Sequence, residues 1–226
     1  MDALTRDEFR AALYAQGQYY WDKHPFHLRL SSGACTPDEV RAWVGNRWYY
    51  QSNLSQKNAA IIANCPSPEV RLTWVERIAF QDQTGLRDWL VLIKAVGLGE
   101  VPAPLPGVRF AVDAYVQFCR TQPWIMAAAA ALTELFAPDA MRERVLAWRK
   151  HYPWIDASGY AYFESRIPVV QNDSAFTLGL VLDNCLTRPD QDAAIAALRF
   201  KCTVLWAMLD AIEHATHCAG SPSGQS

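Results

Sequence analysis

The chain has 226 residues, of which 51% are hydrophobic and 12% aromatic, and its formal net charge is −2. This length fits a single domain with a sizeable buried core, and the absence of a basic run argues against a nucleic-acid partner. No stretch approaches the roughly 20 uninterrupted apolar residues that a membrane span needs. Residues 1–18 have mixed charge and do not resemble a signal peptide, so we expect a cytoplasmic protein without a membrane partner.

Helix signals follow one another along the chain. Two capping boxes, Thr5 to Glu8 and Thr36 to Glu39, each predict the start of a helix, because their Thr and Glu side chains can satisfy backbone N–H groups of the first turn. The second of these helices is expected to run to about Ala63, where Cys65-Pro-Ser-Pro68 ends it. Further helices are predicted over residues 67–80, 86–96, 107–120, 123–136, 139–151, 157–167, 172–186 and 188–217.

These signals define the fold class. No run shows the alternation of a half-buried strand, and no solenoid repeat is present. We therefore predict one all-α helical bundle over residues 1–218, with roughly eight to ten helices. The Gly/Ser/Pro-rich residues 219–226 are expected to form a disordered tail.

Motifs for metal or nucleotide chemistry are missing from the sequence. There is no Glu-x-x-His, His-Glu-x-x-His, Gly-x-Gly-x-x-Gly or P-loop. His24 and His27, like His214 and His217, are spaced i,i+3, but capping or solvated histidines are more common than paired ligands. We therefore predict no metal site.

Several cationic residues lie within apolar, aromatic stretches, among them Arg47, Arg166 and Lys201. A lone buried cation is costly, so each needs an anionic partner. Glu134 and Asp210 could supply internal ion pairs, and the stems could instead snorkel to the surface. Taken together, several inward cations indicate a pocket for a ligand with more than one carboxylate, because the guanidinium fork binds a carboxylate bidentately.

Helical spacing places a second residue one turn from each of these cations. Such i,i+4 pairs project from one helix face and are plausible pocket walls, although surface helices show the same spacing. The pairs are Arg47 with Gln51, Tyr162 with Arg166, and Lys201 with Leu205.

Seven longer patterns recur in order between about residue 7 and residue 215. They are Asn46-Arg-Trp-Tyr-Tyr-Gln51 and the segments 58–66, 105–115, 132–138, 151–154, 159–163 and 200–211. These motifs resemble the family called PqqC, the pyrroloquinoline quinone (PQQ) synthases. The resemblance implies a haem-oxygenase-like helical bundle that forms a homodimer.

The resemblance also implies an activity. PqqC enzymes close a ring on a quinoline precursor that bears several carboxylates, and then oxidise it with O2 and release peroxide. They use no metal or organic cofactor, and PQQ stays bound as the product. This agrees with the cation-rich pocket inferred from the residues.

Site residues follow from the resemblance position by position. Catalysis is assigned to Tyr162, Arg166, Lys201, Gln81 and Glu134, with Tyr162 and Arg166 beside the oxygen, where a cation stabilises superoxide or peroxide charge. Substrate binding is assigned to Arg47, Tyr50, Gln51, Arg77, Tyr115, Thr133, Arg144, Trp21, Met141, Leu205 and His24. Of these, Arg47, Arg77, Arg144 and Lys201 would hold carboxylates and quinone oxygens.

Three positions depart from the family pattern, which has histidine where this chain has Trp21, Gln81 and Met141. Glutamine is no base near neutral pH, and Trp and Met do not titrate. Proton transfer would then fall to Lys201, Glu134, Tyr162 or His24. The segment after Gln81 is also shorter than in the family.

Two alternatives stay open beside the synthase. A divergent homologue could bind PQQ or its precursor as a carrier or assembly protein, without full turnover. A thiaminase-like enzyme shares this bundle and needs a thiol nucleophile, for which Cys119 and Cys202 are the candidates.

Overall fold

Ten α-helices form in residues 2–220, the part of the chain that the computed structural model describes, with side chains described to residue 218. They are α1 (Arg6–Ala15), α2 (Pro25–Ser32), α3 (Pro37–Asn64), α4 (Pro68–Phe80), α5 (Leu86–Ala95), α6 (Pro106–Thr121), α7 (Trp124–Ala131), α8 (Ala137–His151), α9 (Ala161–Asn184) and α10 (Arg188–Gly220). Four short 3₁₀ turns lie at Gln16–Tyr19, Trp21–Lys23, Leu132–Leu135 and Ala157–Tyr160. No strand occurs within this range, so the all-α prediction is confirmed.

Local capping chemistry starts the helices where the sequence predicted. The Thr36 hydroxyl accepts from the Glu39 backbone N–H at 3.2 Å, and Glu39 accepts in return from the Thr36 N–H at 2.7 Å. Thr5 and Glu8 form the same box at the start of α1. Each box satisfies N–H groups that have no partner inside the helix.

Two predicted breaks are continuous helix in the structure. Residues 157–167 and 172–186 were expected as separate helices, but α9 runs through Pro168. An interior proline removes one backbone hydrogen bond, and the burial of Arg166 and Val170 on either side holds the helix together. Likewise α4 continues into α5 through a π-helical turn at Gln81–Gly85.

Near both ends of the chain, the predicted helices differ from those in the structure. Helix α2 was not predicted, although His24 caps it, Pro25 opens it, and Gly33 ends it with a left-handed φ of 83°. The last helix extends to Gly220 rather than to about residue 217. The rest of the predicted tail, residues 221–226, lies outside the described residues.

Helix α3 lies at the centre of the bundle. It packs against α4, α5, α6, α7 and α10, while α8 and α9 pack against each other. Trp43, Trp89 and Trp148 are almost completely buried where these layers meet. Across residues 2–220 no helix combines the length and the apolar character that a bilayer crossing requires.

Candidate active site: a cation-rich cavity

A cavity of about 60 Å³ lies between α3, α5, α8, α9 and α10. This volume is below that of small-molecule sites, roughly 300–1,000 Å³, so the lining side chains have to move apart to admit a flat ligand. Most of the predicted site residues line it, namely Trp21, Arg47, Tyr50, Gln51, Thr133, Glu134, Met141, Arg144, Tyr162, Arg166 and Leu205. Residues far apart in the sequence, from Trp21 to Leu205, therefore meet at one place.

Arg47 and Arg144 are buried cations without an anionic partner. Their exposed fractions are 9% and 4%, and neither forms an ion pair with any described residue. The Arg47 guanidinium carbon lies 4.2 Å from the centre of the Trp21 ring and 3.9 Å from that of Tyr50. Arg144 lies 4.7 Å from the Trp43 ring. Aromatic faces stabilise such cations only in part, which leaves both side chains available to an anion.

Desolvation changes the acidity of these guanidinium groups without discharging them. Burial lowers the pKa of Arg144 to about 10 and also lowers the pKa of Arg47. Arg144 stays protonated at neutral pH, because a pKa near 10 lies well above it. Arg47 Nη1 and Arg144 Nε have no hydrogen-bond partner among the described residues. The cavity thus holds two charged donors that a carboxylate could satisfy.

Lys201 lies behind the cavity wall. It is completely buried, and its Nζ is 3.7 Å from the Tyr115 ring centre and 4.1 Å from that of Tyr50. Burial and the nearby Arg47 lower the pKa of Lys201 well below its ordinary value. Neither Lys201 nor Tyr115 lines the cavity surface, so each reaches a guest only when Tyr50 moves or when the guest displaces it.

Arg77 is bound by the protein's own acids, contrary to the expectation of a free carboxylate binder. Its Nε is 3.3 Å from Asp173 and its Nη1 is 4.0 Å from Glu134. Its Nη2 donates to the Asp173 carbonyl at 2.6 Å and to Thr177 at 2.9 Å. Burial, followed by the charge of Glu134, raises the pKa of Asp173. Arg77 is therefore held mainly by Asp173 and Thr177, and its charge lies close to Glu134 at the cavity edge.

A hydrogen-bonded chain of amides stands where family histidine was expected. Tyr162 donates to Gln51 Oε1 at 2.8 Å, and Gln81 Nε2 donates to the Gln51 carbonyl at 3.1 Å. Gln81 is 1% exposed and its Oε1 has no partner among the described residues. The π turn makes room for it, because a Cβ on Gly85 would lie 2.7 Å from that oxygen. Gln81 lies just behind the lining residue Gln51.

The prediction that His24 faces the substrate is not supported by its position. Its Nδ1 accepts from the Phe26 backbone N–H at 3.0 Å, and its Nε2 lies 3.0 Å from Asp210. Both ring nitrogens are thus engaged, and the ring does not line the cavity. His24 caps α2, and Asp210 pairs with it instead of with a buried cation.

Sequence reasoning missed three residues beside the cavity, the buried His27 and Lys57 and the half-buried Asp173. Burial lowers the pKa of His27 to about 3, and its Nδ1 lies 3.5 Å from Arg144 Nη2, so it is a neutral partner of that cation. Burial also lowers the pKa of Lys57, which the charge of Glu134 partly offsets. Lys57 follows the lining residue Leu54 by one helical turn, a spacing that could have indicated it. Asp173 has no comparable local signal.

The cysteines do not support thiol catalysis. Cys119 and Cys202 are completely buried and neither lines the cavity. Burial raises the pKa of Cys119, and raises that of Cys202 to about 11, so both thiols stay protonated near neutral pH. No group of three His, Cys, Asp or Glu side chains converges as a metal site anywhere in residues 2–220.

A helical bundle around an aromatic, cation-lined chamber defines the class of protein. The chain belongs to the TENA/THI-4/PQQC family, whose sequence profile matches residues 10–211. It is 46% identical over 219 residues to the pyrroloquinoline-quinone synthase of Cronobacter sakazakii, covering 92% of this chain and 87% of that one. The corresponding enzyme of Pseudomonas aeruginosa is 45% identical over 223 residues, 94% of this chain and 89% of that one.

Solved structures show the same fold at low sequence identity. A domain with a heme oxygenase-like fold from Shewanella denitrificans superposes with a TM-score of 0.78 at 11% identity, over 99% of this chain and 98% of that one. A TenA homologue from P. horikoshii gives a TM-score of 0.73 at 12% identity, over 92% and 97%. The predicted family and the predicted haem-oxygenase-like bundle are both confirmed.

Proposed function

We propose that the protein is a pyrroloquinoline-quinone synthase. It closes a ring on a quinoline precursor with several carboxylates and oxidises it with O2, releasing peroxide and retaining PQQ. The observation that carries this is the pair Arg47 and Arg144, buried beside one cavity without a counter-ion among the described residues. The relatives of that name, at 44–46% identity over most of the chain, support the same activity.

The cavity's charge matches a polyanionic guest. Six cations lie in or directly behind the wall, Arg47, Lys57, Arg77, Arg144, Arg166 and Lys201, against the two carboxylates Glu134 and Asp173. A guest with several carboxylates balances this excess and satisfies donors that otherwise stay unpaired in a low-dielectric site. Aromatic side chains such as Trp21 and Tyr50 give flat faces for its rings.

Binding places the guest beside groups that stabilise developing negative charge. Arg166 lines the cavity without an ion pair among the described residues, one helical turn from Tyr162. A fixed cation in a dry site stabilises superoxide or peroxide character in the reaction with O2. Burial raises the pKa of Tyr162, so its hydroxyl remains a proton donor through neutral pH.

Proton transfer needs groups other than the family histidines. Trp21 and Met141 carry no titrating proton, and Gln81 offers only an amide. Glu134 lines the cavity, and its Oε2 has no hydrogen-bond partner among the described residues, so we assign it the proton-accepting role. Lys201, counted above among the cations, is a second proton-transfer group, because burial lowers the pKa of its ammonium and makes it a better proton donor. We further propose a cytoplasmic homodimer that needs no metal or organic cofactor.

Mixing purified protein with the carboxylated precursor, first without air and then with O2, tests this function. The synthase consumes O2, forms the quinone absorbance and releases peroxide that catalase removes. Arg47→Ala abolishes precursor binding, whereas the matched control Arg142→Ala, an exposed arginine paired with Asp139, leaves it unchanged. Binding of PQQ with no O2 uptake from the precursor would instead identify a carrier protein.

A further inference from the structure

Five aromatic side chains form a row from the cavity to the protein surface. Trp21 and Trp43 line the cavity, and their ring centroids are 6.1 Å apart. The row continues from Trp43 to Trp148 over 5.6 Å. It then passes to Tyr152 over 6.2 Å and to Trp154 over 6.3 Å. Trp154 is 37% exposed, whereas the other four rings are buried, so only the outer end reaches solvent.

We propose that this aromatic row carries single electrons from the surface to the cavity and thereby destroys oxidising radicals that form beside the substrate. The proposal rests on the proposed function, because O2 reduced in the cavity is the source of such radicals. Indole and phenol rings are the side chains that lose one electron most readily. Electron tunnelling weakens steeply with distance, so several short steps are faster than one long step.

The electron balance is closed at both ends of the row. A radical of the hydroperoxyl class takes one electron from Trp43 and one proton from water, which gives hydrogen peroxide and a Trp43 radical cation. Trp148 then reduces Trp43, and Trp154 reduces Trp148 through the bridging ring of Tyr152. A soluble one-electron donor of the ascorbate or thiolate class finally reduces Trp154, and the protein returns to its resting state.

The charges around the row favour outward movement of the oxidised site. The Arg144 guanidinium carbon lies 4.7 Å from the Trp43 ring centre, which disfavours positive charge on that ring. No cation lies over the Trp148 ring in the described part of the chain. Arg41 lies 5.3 Å from the Trp154 ring, but it pairs with Asp38 at 2.8 Å and water screens both.

The lack of hydrogen-bond acceptors at two indoles lets the oxidation move along the row. The Nε1 atoms of Trp43 and Trp148 have no acceptor among the described residues. An oxidised indole at either position therefore keeps its proton and remains a radical cation. Loss of that proton would trap the radical on the ring. Because no acceptor takes the proton, Trp148 can pass the oxidation on to the next ring.

One-electron oxidation of the substrate-free protein tests the row. Near-ultraviolet light, which ejects electrons from buried and exposed indoles alike, is the oxidant, ascorbate is the donor, and peptide mass spectrometry locates added oxygen. We expect Trp154 to be modified while Trp21 and Trp43 are spared. In Trp148→Phe, modification of Trp21 and Trp43 rises severalfold and ascorbate no longer protects them. The matched control Trp124→Phe, a half-buried indole outside the row, behaves as the wild type.

A second variant keeps the test decisive if Trp148→Phe does not fold. Trp154→Phe changes only the partly exposed end, and we expect modification to move inward to Tyr152 and Trp148. Equal modification of Trp43 in the wild type and in the folded variants would contradict the proposal that the row carries electrons. Because this assay needs no substrate, its outcome is independent of whether the precursor and O2 give PQQ.

Discussion

At the scale of single residues, the site is built on cations that destabilise the empty protein. Arg144 is 4% exposed and has only a 3.5 Å contact to His27 as a polar neighbour in the described chain. A buried charge without a partner is unfavourable for folding, and the same charge is favourable for an anionic guest. Stability and binding therefore oppose each other at this residue.

Arg144→Met separates these two effects. We expect the ligand-free variant to be more stable by about 1–4 kcal/mol, because an unpaired buried charge is replaced by a side chain of similar size. Affinity for PQQ should fall roughly 10- to 100-fold, since one charge-assisted hydrogen bond contributes about 1.5–3 kcal/mol. Urea unfolding and fluorescence titration measure both, with Arg142→Met as the exposed control. A less stable variant with unchanged affinity would contradict the assignment.

His27 gives the protein a defined pH response. Burial lowers its pKa from 6.5 to about 3, so the unfolded chain binds a proton below pH 6.5 that the folded chain refuses. Its contribution is therefore full above pH 6.5 and is lost as the pH falls toward 3. At about 1.36 kcal/mol per pH unit, we expect a loss of about 2 kcal/mol between pH 6.5 and 5.

Urea unfolding at several pH values measures this loss. His27→Gln should remove that part of the pH dependence, whereas the exposed control His214→Gln should retain it. A wild-type free energy of unfolding that is flat from pH 6.5 to 5 would show that the imidazole is not held neutral.

At the scale of helices, the π turn between α4 and α5 controls one wall of the site. It holds Gln81 against Gln51, which in turn accepts from Tyr162 at 2.8 Å. The turn depends on Gly85, the position where a Cβ would lie 2.7 Å from Gln81 Oε1. A wider helical turn thus supplies a polar side chain where a regular helix would direct it elsewhere.

Gly85→Ala tests this arrangement. Alanine should expel the Gln81 amide from its buried position, so that precursor turnover falls toward the level of Gln81→Ala. The double variant should lose no more than either single one, because both remove the same contact. Gly179→Ala, on α9 with open space at its Cβ position, is the control and should stabilise by about 0.5–1 kcal/mol. If the losses of turnover in the two single variants add up in the double variant, Gly85 does not act through Gln81.

At the scale of the whole molecule, the empty cavity should make stability depend strongly on ligand. PQQ at about 100 times its Kd should add about 2.7 kcal/mol to the free energy of unfolding. Quinoline with a single carboxylate should add much less at equal concentration, because it leaves most of the cations unpaired. Thermal unfolding with increasing ligand measures the difference. Equal shifts from both ligands would show that charge does not select the guest.

The sequence was sufficient wherever local chemistry decides the structure. The Thr36 box and the Pro-containing break after Ala63 placed α3 to within a residue or two, because capping involves near neighbours. The seven motifs, occurring in the expected order along the chain, also identified the family. Helix α2 was missed, although His24 directly before Pro25 is itself a capping signal for its start.

Ion pairs between residues far apart in the sequence could not be predicted in the same way. Arg47 and Arg77 lie in similar aromatic surroundings in the sequence, yet Arg47 is unpaired and Arg77 is held by Asp173, 96 residues away. Which cation meets an internal acid depends on how α4 and α9 pack, and local patterns contain no information on it. The π turn escaped prediction because the same residues suit a regular helix or a break.

Pro168 has a consequence for how a guest could enter an enclosed chamber. Proline has no N–H, so the carbonyl of Glu164 lacks its usual helical partner, and the first turns of α9 are joined less firmly to the rest. Those turns carry Tyr162 and Arg166. This part of the cavity wall is therefore the one with the fewest backbone hydrogen bonds to the rest of α9.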